Sequence, residues 1–292
     1  MSTAHGTARR TAAPAVRLGL RRGVTEFGHM LRSPEDVGWN VVIGVALLVY
    51  LVANRDVMPG DVGVSMPNLA LPGILASAIM FGMTMGPGFA LATEVEDGTV
   101  LRLRATPHGT VTYSVGMLVA QALGAVPMLV ILLAPWPLLL GDPMHQGPGG
   151  WLALVGWLLL GTLAVLPIGV VLGALAGRPS RVVPFGVAPV VALAFVSGVF
   201  APPTWLPGWA QDVVQVFPLY WLAHGIRGTS LPPGAEALEI GGTWEPGLAV
   251  LVLGAWAVAG LVVAPLVLRR ITSRQSASSL AARLQAHLQR TA

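Results

Sequence analysis

The sequence predicts an all-α, polytopic membrane protein with six transmembrane helices. Of the 292 residues, 54% are hydrophobic and only 10% are charged, and the mean hydropathy is +0.72, whereas soluble domains carry about 25% charged residues. The 17 basic and 13 acidic residues are too few to cover the outside of a soluble protein of this size. Most of the chain is therefore predicted to lie in lipid.

Six apolar stretches approach or exceed the length of about 20 residues that a helix needs to cross a bilayer. They are Val37–Ala53, Leu69–Thr93, Val111–Leu140, Trp151–Ala176, Val182–Phe200 and Gly247–Leu268. None contains Asp, Glu, Lys, Arg or His. Because ion-coupled carriers and voltage sensors keep ionisable groups inside the membrane, this pattern argues against them.

The arginines are distributed unevenly among the segments that join these stretches. Fifteen of the 17 lie in the two termini and in alternate connections, and only Arg55 and Arg227 lie in the others. The positive-inside rule therefore predicts that both termini are cytoplasmic at the inner membrane. The predicted domains are a cytoplasmic tail (1–36), a six-helix transmembrane domain (37–268) and a C-terminal cytoplasmic tail (269–292). The same bias explains the pI near 10.6, so no nucleic-acid partner is expected.

The N-terminal tail contains a helical pattern with one apolar face. The apolar residues are Val16, Leu20, Val24, Phe27 and Leu31, and the charged residues Arg17, Arg21, Arg22 and Glu26 lie elsewhere on the helical wheel. This pattern is typical of an amphipathic helix on the membrane surface, and a solvated tail is the alternative. The stretch 276–290 has a weaker form of the pattern, which fits a surface helix or disorder equally well.

The composition excludes several kinds of chemistry. All 17 basic residues are arginine, so the P-loop lysine that binds nucleotide phosphates is missing, and ATP-driven work requires a partner chain. There is no cysteine, and the six histidines have no metal-ligand spacing. Asp212, His224 and Ser230 include the residue types of a hydrolytic triad, but no spacing places them together. The chain is therefore predicted to be neither an enzyme nor a cofactor or metal binder.

Glycine and proline are the features that interrupt the predicted spans. The pairs Gly82-xxx-Gly86 and Gly169-xxx-Gly173-xxx-Gly177 would let helices approach closely, or would be ordinary packing positions. Prolines at 87, 127, 167, 184, 189 and 265 would introduce kinks that act as hinges.

Two connecting segments have distinctive sequences. The first reads EVEDGTVLRLRATPHG from Glu94 to Gly109; its acids precede its arginines, which predicts a short helix over 96–104, with a plain charged connector as the alternative. The second, Thr204–Phe217, is too short to span, is broken by prolines and is rich in aromatic residues. It is predicted to be re-entrant or interfacial, with an ordered external loop as the alternative.

Both segments resemble known sequences. The first segment has the pattern E-x-E-x-G-T, followed by leucines and arginines and then by A-T-P. This pattern resembles the cytoplasmic loop of ABC exporter permeases of the second class, which export drugs, lipids and polysaccharides. Within that class, the chain is similar to the permeases of the daunorubicin-resistance type. The run SGVFAPPTWLPGWAQDVVQVFPLYWLAHGIRG, from Ser197, resembles the region after the fifth span of the same family. The resemblance covers nearly the whole chain in span order.

The resemblance implies roles for particular residues. It implies a helix that couples the permease to the ATPase, formed by Glu94, Glu96, Gly98, Thr99, Arg102 and Arg104. Asp97 departs from the family pattern, since relatives more often carry arginine at this position. The resemblance also implies short helices that re-enter the outer leaflet and form an outer gate. The gate residues would be Ser197, Gly198, Phe200, Trp205, Trp209 and Pro218.

The resemblance also implies partners and a cargo. The partners would be two ABC ATPase subunits that bind ATP and Mg, a second permease subunit forming a homodimer, and membrane lipid. The few polar wall residues Thr84, Thr93, Ser114, Gln121 and Thr162 favour efflux of a hydrophobic or amphipathic cargo, such as an antibiotic or other drug, a secondary metabolite or a lipid. The alternatives are a polysaccharide or glycolipid exporter permease, a membrane-bound enzyme and a non-transporting membrane scaffold.

Overall fold

The computed structural model describes residues 4–58, 63–98, 109–141, 144, 146–197, 202–264, 266–267 and 270. This part of the chain consists of helices and their connections and contains no β-strand, which confirms the all-α class. The α-helices are α1 (Ala4–Arg32), α2 (Pro34–Ala53), α3 (Met66–Glu96), α4 (Gly109–Gly124), α5 (Val126–Leu133), α6 (Trp136–Leu139), α7 (Pro148–Ala176), α8 (Pro179–Val196), α9 (Gly208–Val214), α10 (Pro218–Ser230) and α11 (Pro246–Ala264). Short 3-10 helices cover Pro203–Trp205, Ala235–Leu238 and Ile240–Gly242.

Six helical segments of the described chain are long and apolar enough to cross a bilayer, as predicted. They are α2, α3, the run α4 to α6 (Val111–Leu139), α7, α8 and α11. Each overlaps a predicted stretch, and all except the third begin one to three residues earlier than predicted, at or next to a proline. The helix α2 begins at Pro34, and the hydroxyl of Ser33 accepts a hydrogen bond from the Asp36 N–H at 3.3 Å. A proline in the first turn and a serine before it are the usual start of a helix.

The third span consists of three consecutive helices, whereas each of the other spans is one continuous helix. It is interrupted at Ala125 and again between Leu133 and Trp136, close to Pro127 and Pro135. Because proline has no N–H and clashes with the preceding turn, breaks of this kind are expected at proline. Pro72 and Pro87 in α3 and Pro167 in α7 lie inside helices that remain continuous.

The helices α3 and α7 form the centre of the bundle. Within their most apolar windows, 67% of α3 and 50% of α7 are buried, compared with 28% or less for each of the other four spans. The two helices pack along each other, and α8 and α10 also pack against α3. The remaining spans expose large apolar side chains, which suits contact with lipid.

The glycine motif of α7 makes this central contact. A Cβ added at Gly169 would lie 2.4 Å from the Met83 carbonyl oxygen, and one added at Gly173 would lie 2.4 Å from that of Gly88. The predicted pair on α3 does not face α7: Gly82 faces open space, and Gly86 faces Gln121 of α4. Close approach of α3 and α7 therefore depends on Gly169 and Gly173.

The described part of the connection between α8 and α11 contains short helices. The helix α10 packs against both α3 and α7 and is buried from Pro218 to Arg227. The preceding segment, formed by Pro203–Trp205 and α9, lies at the periphery and contacts α8.

Candidate functional site

The last turn of α3 is an ionic junction between three elements. A guanidinium nitrogen of Arg22, on α1, lies 3.6 Å from a carboxylate oxygen of Glu94. The Arg178 guanidinium, just before α8, lies 3.7 Å from the carboxylate of Glu96. The first pair is mostly buried on the Glu94 side, whereas both side chains of the second are about half exposed or more. The first two acids of the predicted coupling segment therefore tie the end of α3 to α1 and to the start of α8.

Arg22 is the centre of this junction. Its Nε donates to the Glu26 carboxylate one helical turn away, at 2.6 Å. Its guanidinium lies 5.0 Å from the ring centroid of Tyr113 on α4, a distance at which a cation is attracted to an aromatic face. Burial lowers the pKa of Arg22, but the hydrogen bond to Glu26 and the charges of Glu26 and Glu94 outweigh it and raise the pKa. Arg22 is therefore a fixed positive charge.

Arg22 contacts both sides of the connection between α3 and α4. Glu94 lies at the end of α3, and Tyr113 lies at the start of α4. One Glu94 carboxylate oxygen and the Tyr113 hydroxyl are buried, and the two side chains interact electrostatically with each other and with Arg22. A displacement of this connection must therefore change the contacts of Arg22.

Small residues hold α1 against α4. A Cβ added at Gly19 would lie 2.8 Å from the Thr112 carbonyl oxygen, and one added at Gly23 would lie 2.7 Å from that of Gly116. The Thr112 hydroxyl donates to the Ala15 carbonyl at 3.2 Å. Since larger side chains would push the backbones apart, these glycines set the position from which Arg22 reaches Glu94.

The structure describes only part of the predicted coupling segment. Gly98, two residues after the end of α3, has a φ of +70°, a conformation that glycine adopts readily. Thr99, Arg102 and Arg104, and most of the short helix predicted over 96–104, lie outside the described residues.

The predicted outer-gate residues occupy different environments. Trp205 and Trp209 are 74% and 72% exposed, whereas Pro218 is buried at the start of α10. Ser197 is buried, and its hydroxyl has no hydrogen-bond partner in the described part of the chain. Gly198 and Phe200 lie outside the described residues. The two tryptophans thus form an exposed pair, while Pro218 belongs to the core.

A buried polar cluster between α10 and the segment before α11 was not predicted. The Glu239 carboxylate accepts from Arg227, with one nitrogen–oxygen distance of 3.1 Å, and from the Tyr220 hydroxyl at 3.2 Å. It also lies 2.8 Å from His224 Nδ1. The Glu245 N–H donates to His224 Nε2 at 3.0 Å, so the ring carries its proton on Nδ1 and donates it to Glu239. We call these side chains the Glu239 cluster.

The electrostatics of the Glu239 cluster hold its acid ionised. Burial alone raises the pKa of Glu239, but the charge of Arg227 and the hydrogen bonds from His224 and Arg227 lower it to about 2. Burial, together with the negative charge of Glu239, raises the pKa of Tyr220. The Ser230 hydroxyl donates to the Ile226 carbonyl at 2.9 Å rather than to His224. The arrangement fits a stabilising contact between α10 and the segment before α11, and not a nucleophilic site.

Arg227 is the sequence signal that could have revealed this cluster. It is one of the two arginines that break the charge bias between connections, and it follows His224 by three residues in a short apolar helix. Arg227 lies in a connection that contains few arginines, and its contact with the buried Glu239 carboxylate explains this position.

Two comparisons with known proteins agree with this architecture. Residues 25–231 match the family model described as ABC-2 type transporter. The chain is also 30% identical over 275 residues to the daunorubicin resistance ABC transporter permease protein DrrB1 of Streptomyces coeruleorubidus, which covers 92% of this chain and 90% of that protein. The family match includes Glu94, Glu96 and the helix α10, and it begins three residues after Arg22.

Proposed function

The chain belongs to the ABC-2 type transporter family, and on that premise we propose that it is the permease subunit of an ATP-driven exporter whose ATPase is a separate chain. The observation that carries the proposal is the convergence of α1, the end of α3 and the start of α4 on Arg22. An ATPase subunit that displaces the connection between α3 and α4 moves all three elements through this junction.

The proposed placement follows the arginine bias. The chain crosses the cytoplasmic membrane six times, with both termini, residues 97–108 and the turn around Arg178 facing the cytoplasm. Residues 1–36, with α1 as an amphipathic surface helix, and 269–292 are then cytoplasmic tails that flank the transmembrane domain. This placement puts Glu94, Glu96 and Arg178 on the face where an ATPase would dock.

The proposed assembly contains two copies of this chain and two ATPase subunits, which bind ATP and Mg. Closure of the ATPase pair around ATP displaces the coupling segment, including Gly98, Thr99, Arg102 and Arg104. The displacement passes through Glu94 to α1 and through Glu96 to α8. The spans then exchange an inward-facing state for an outward-facing one, which requires that nucleotide and cargo bind the two states with different affinities.

The proposed cargo is hydrophobic or amphipathic. The described spans are lined mainly by apolar side chains, and Thr84 and Thr162 are among their few buried polar residues. The relative DrrB1 is named for daunorubicin resistance, which supports a drug or secondary metabolite over a long glycan. The exposed pair Trp205 and Trp209 is proposed to lie at the outer membrane surface beside the exit.

The first test is capture of the motor. A tagged full-length chain is expected to co-purify with ATPase activity, and reconstitution of the pair in vesicles is expected to give ATP-dependent export of an anthracycline probe. Absence of any co-purifying ATPase would contradict the proposal and favour a scaffold.

The second test is the replacement Glu94→Gln. It removes the charge that Arg22 contacts while keeping the side-chain shape, so ATP-dependent export is expected to fall by about five-fold or more, as is typical of allosteric coupling. Glu96→Gln is expected to have a smaller effect because its pair is solvent-exposed. Arg22→Gln combined with Glu94→Gln should cost less than the sum of the two single changes, since the two residues share a contact.

Glu35→Gln serves as the matched control, because Glu35 has no ion pair among the described residues. Equal export by the Glu94→Gln and Glu35→Gln variants, at equal membrane abundance, would remove the proposed role of the junction.

A further inference from the structure

The helix α1 has three distinct faces. One is the small-residue face that packs on α4. A second is an apolar stripe of Val16, Leu20 and Val24, one helical turn apart, which are 39%, 46% and 57% exposed. The third face lies directly beside this stripe and carries Arg17 and Arg21, which are also one turn apart. A helix with apolar and cationic stripes side by side fits the boundary between lipid headgroups and acyl chains.

Arg17 and Arg21 differ from the neighbouring arginine on α1. Arg22 is held by Glu26 and Glu94, whereas neither Arg17 nor Arg21 makes an ion pair with any residue that the structure describes. Glu26 is the only acidic residue of α1, and Arg22 already occupies it. Two guanidiniums on one side of the helix are therefore open to an external anion.

An open cavity lies along the same side of α1. Its volume is about 540 Å³, and the described part of its wall is formed by Ala13, Pro14, Arg17, Leu18 and Arg21. Residues one turn apart on a helix have Cβ atoms about 5–6 Å apart, so both guanidiniums can reach one phosphate group. The apolar side chains around them suit the glycerol and acyl portions of a lipid.

The position of α1 places this cavity at the membrane. Arg22, next to Arg21 on α1, contacts Glu94 at the end of the second span and Tyr113 at the start of the third. A free phosphate would use the two charges alone, whereas a phospholipid would also cover the exposed apolar stripe. Charge, apolar exposure and position together favour a lipid as the occupant.

We propose that Arg17 and Arg21 bind the phosphate of an anionic phospholipid of the inner leaflet, with Val16, Leu20 and Val24 against its acyl chains. This inference rests on the cytoplasmic placement of α1 in the proposed function. The bound lipid holds α1 at the depth from which Arg22, on the same helix, reaches Glu94. Anionic lipid is then a structural requirement for coupling.

The test measures lipid binding to the full-length chain in detergent, without an ATPase. Spin-labelled phosphatidylglycerol is the probe, and spin-labelled phosphatidylcholine is the neutral comparison. The Arg17→Gln/Arg21→Gln variant is expected to bind phosphatidylglycerol about 25-fold more weakly, since each arginine near an anionic surface contributes about five-fold. Binding of phosphatidylcholine should not change.

The matched control is Arg55→Gln/Arg181→Gln, which removes the same charge outside α1. Equal weakening by both double variants would show a general charge effect and overturn the site. No preference of the unaltered chain for phosphatidylglycerol would also overturn it. Competition by inorganic phosphate as effective as competition by phosphatidylglycerol would identify an anion site instead of a lipid site.

A second variant keeps the proposal testable if the double variant folds poorly. The Arg17→Lys/Arg21→Lys variant keeps both charges and is expected to retain most of the binding, and its failure to bind while well folded would contradict a phosphate contact. Because binding is read without transport, a failure here leaves the exporter proposal standing. Failure to capture an ATPase, in turn, leaves this result unaffected.

Discussion

Replacement of Gly173 by valine is expected to destabilise the transmembrane core strongly. The new Cβ would lie 2.4 Å from the Gly88 carbonyl oxygen and 3.0 Å from the Gly88 Cα. Both are backbone atoms, so relief requires the separation of α3 and α7, the two most buried spans. Forcing extra atoms into a packed core costs about 1–3 kcal/mol and occasionally more, and here we expect the upper end of that range.

The measurement is the yield of monodisperse protein in detergent, together with its thermal unfolding midpoint. Gly156→Val is the matched control, since Gly156 lies on the same helix and faces open space. It carries the same change in helix propensity without the clash, so its unfolding midpoint should remain close to that of the unaltered chain. If the Gly173→Val and Gly156→Val variants unfold at the same temperature, α3 and α7 do not pack as described.

Removal of the charge of Glu239 is expected to be the second large destabilisation. In the Glu239→Gln variant, the buried guanidinium of Arg227 loses its carboxylate contact, and the amide has fewer acceptor sites for Tyr220 and His224. Breaking a buried ion pair on one side costs about 3–5 kcal/mol. The structural consequence is that α10 separates from the segment that leads into α11.

Thermal unfolding in detergent tests this expectation, with Glu245→Gln as the control because the Glu245 side chain is exposed and its N–H contact to His224 would persist. The double variant Arg227→Met/Glu239→Leu should recover much of the lost stability, since apolar replacement of a whole buried pair is often neutral. Stability of Glu239→Gln equal to that of Glu245→Gln would show that the pair contributes little.

The same pair predicts a pH dependence. Glu239 has a pKa of about 2 in the folded protein, below its ordinary value of 4.5. A lowered pKa means that the ionised acid stabilises the fold above the ordinary value, and that this stabilisation is lost as the pH falls from 4.5 toward 2. The difference in stability between the unaltered chain and Glu239→Gln is therefore expected to be constant from pH 5 to 8 and to shrink below about 4.5. A constant difference at lower pH would contradict the role of Glu239.

Only part of the candidate coupling site was predicted from the sequence. Glu94 and Glu96 were identified by the loop motif, and the structure gives each a basic partner on another element. Arg22 and Tyr113 were not assigned to the site, because they are 72 residues before and 19 residues after Glu94 in the chain. Neither position carries a local pattern that would indicate the contact.

The sequence alone determined the membrane class, the number and approximate bounds of the spans and the absence of a P-loop, because these depend on local composition and on the length of a bilayer-spanning helix. Tertiary structure decided which glycines face which helix, which arginines are paired and which short helix enters the core. Gly169 and Gly82 lie in similar motifs, yet only Gly169 meets a neighbouring backbone. Such differences depend on how the helices are rotated and placed against one another, and a periodic pattern along one helix does not specify its neighbour.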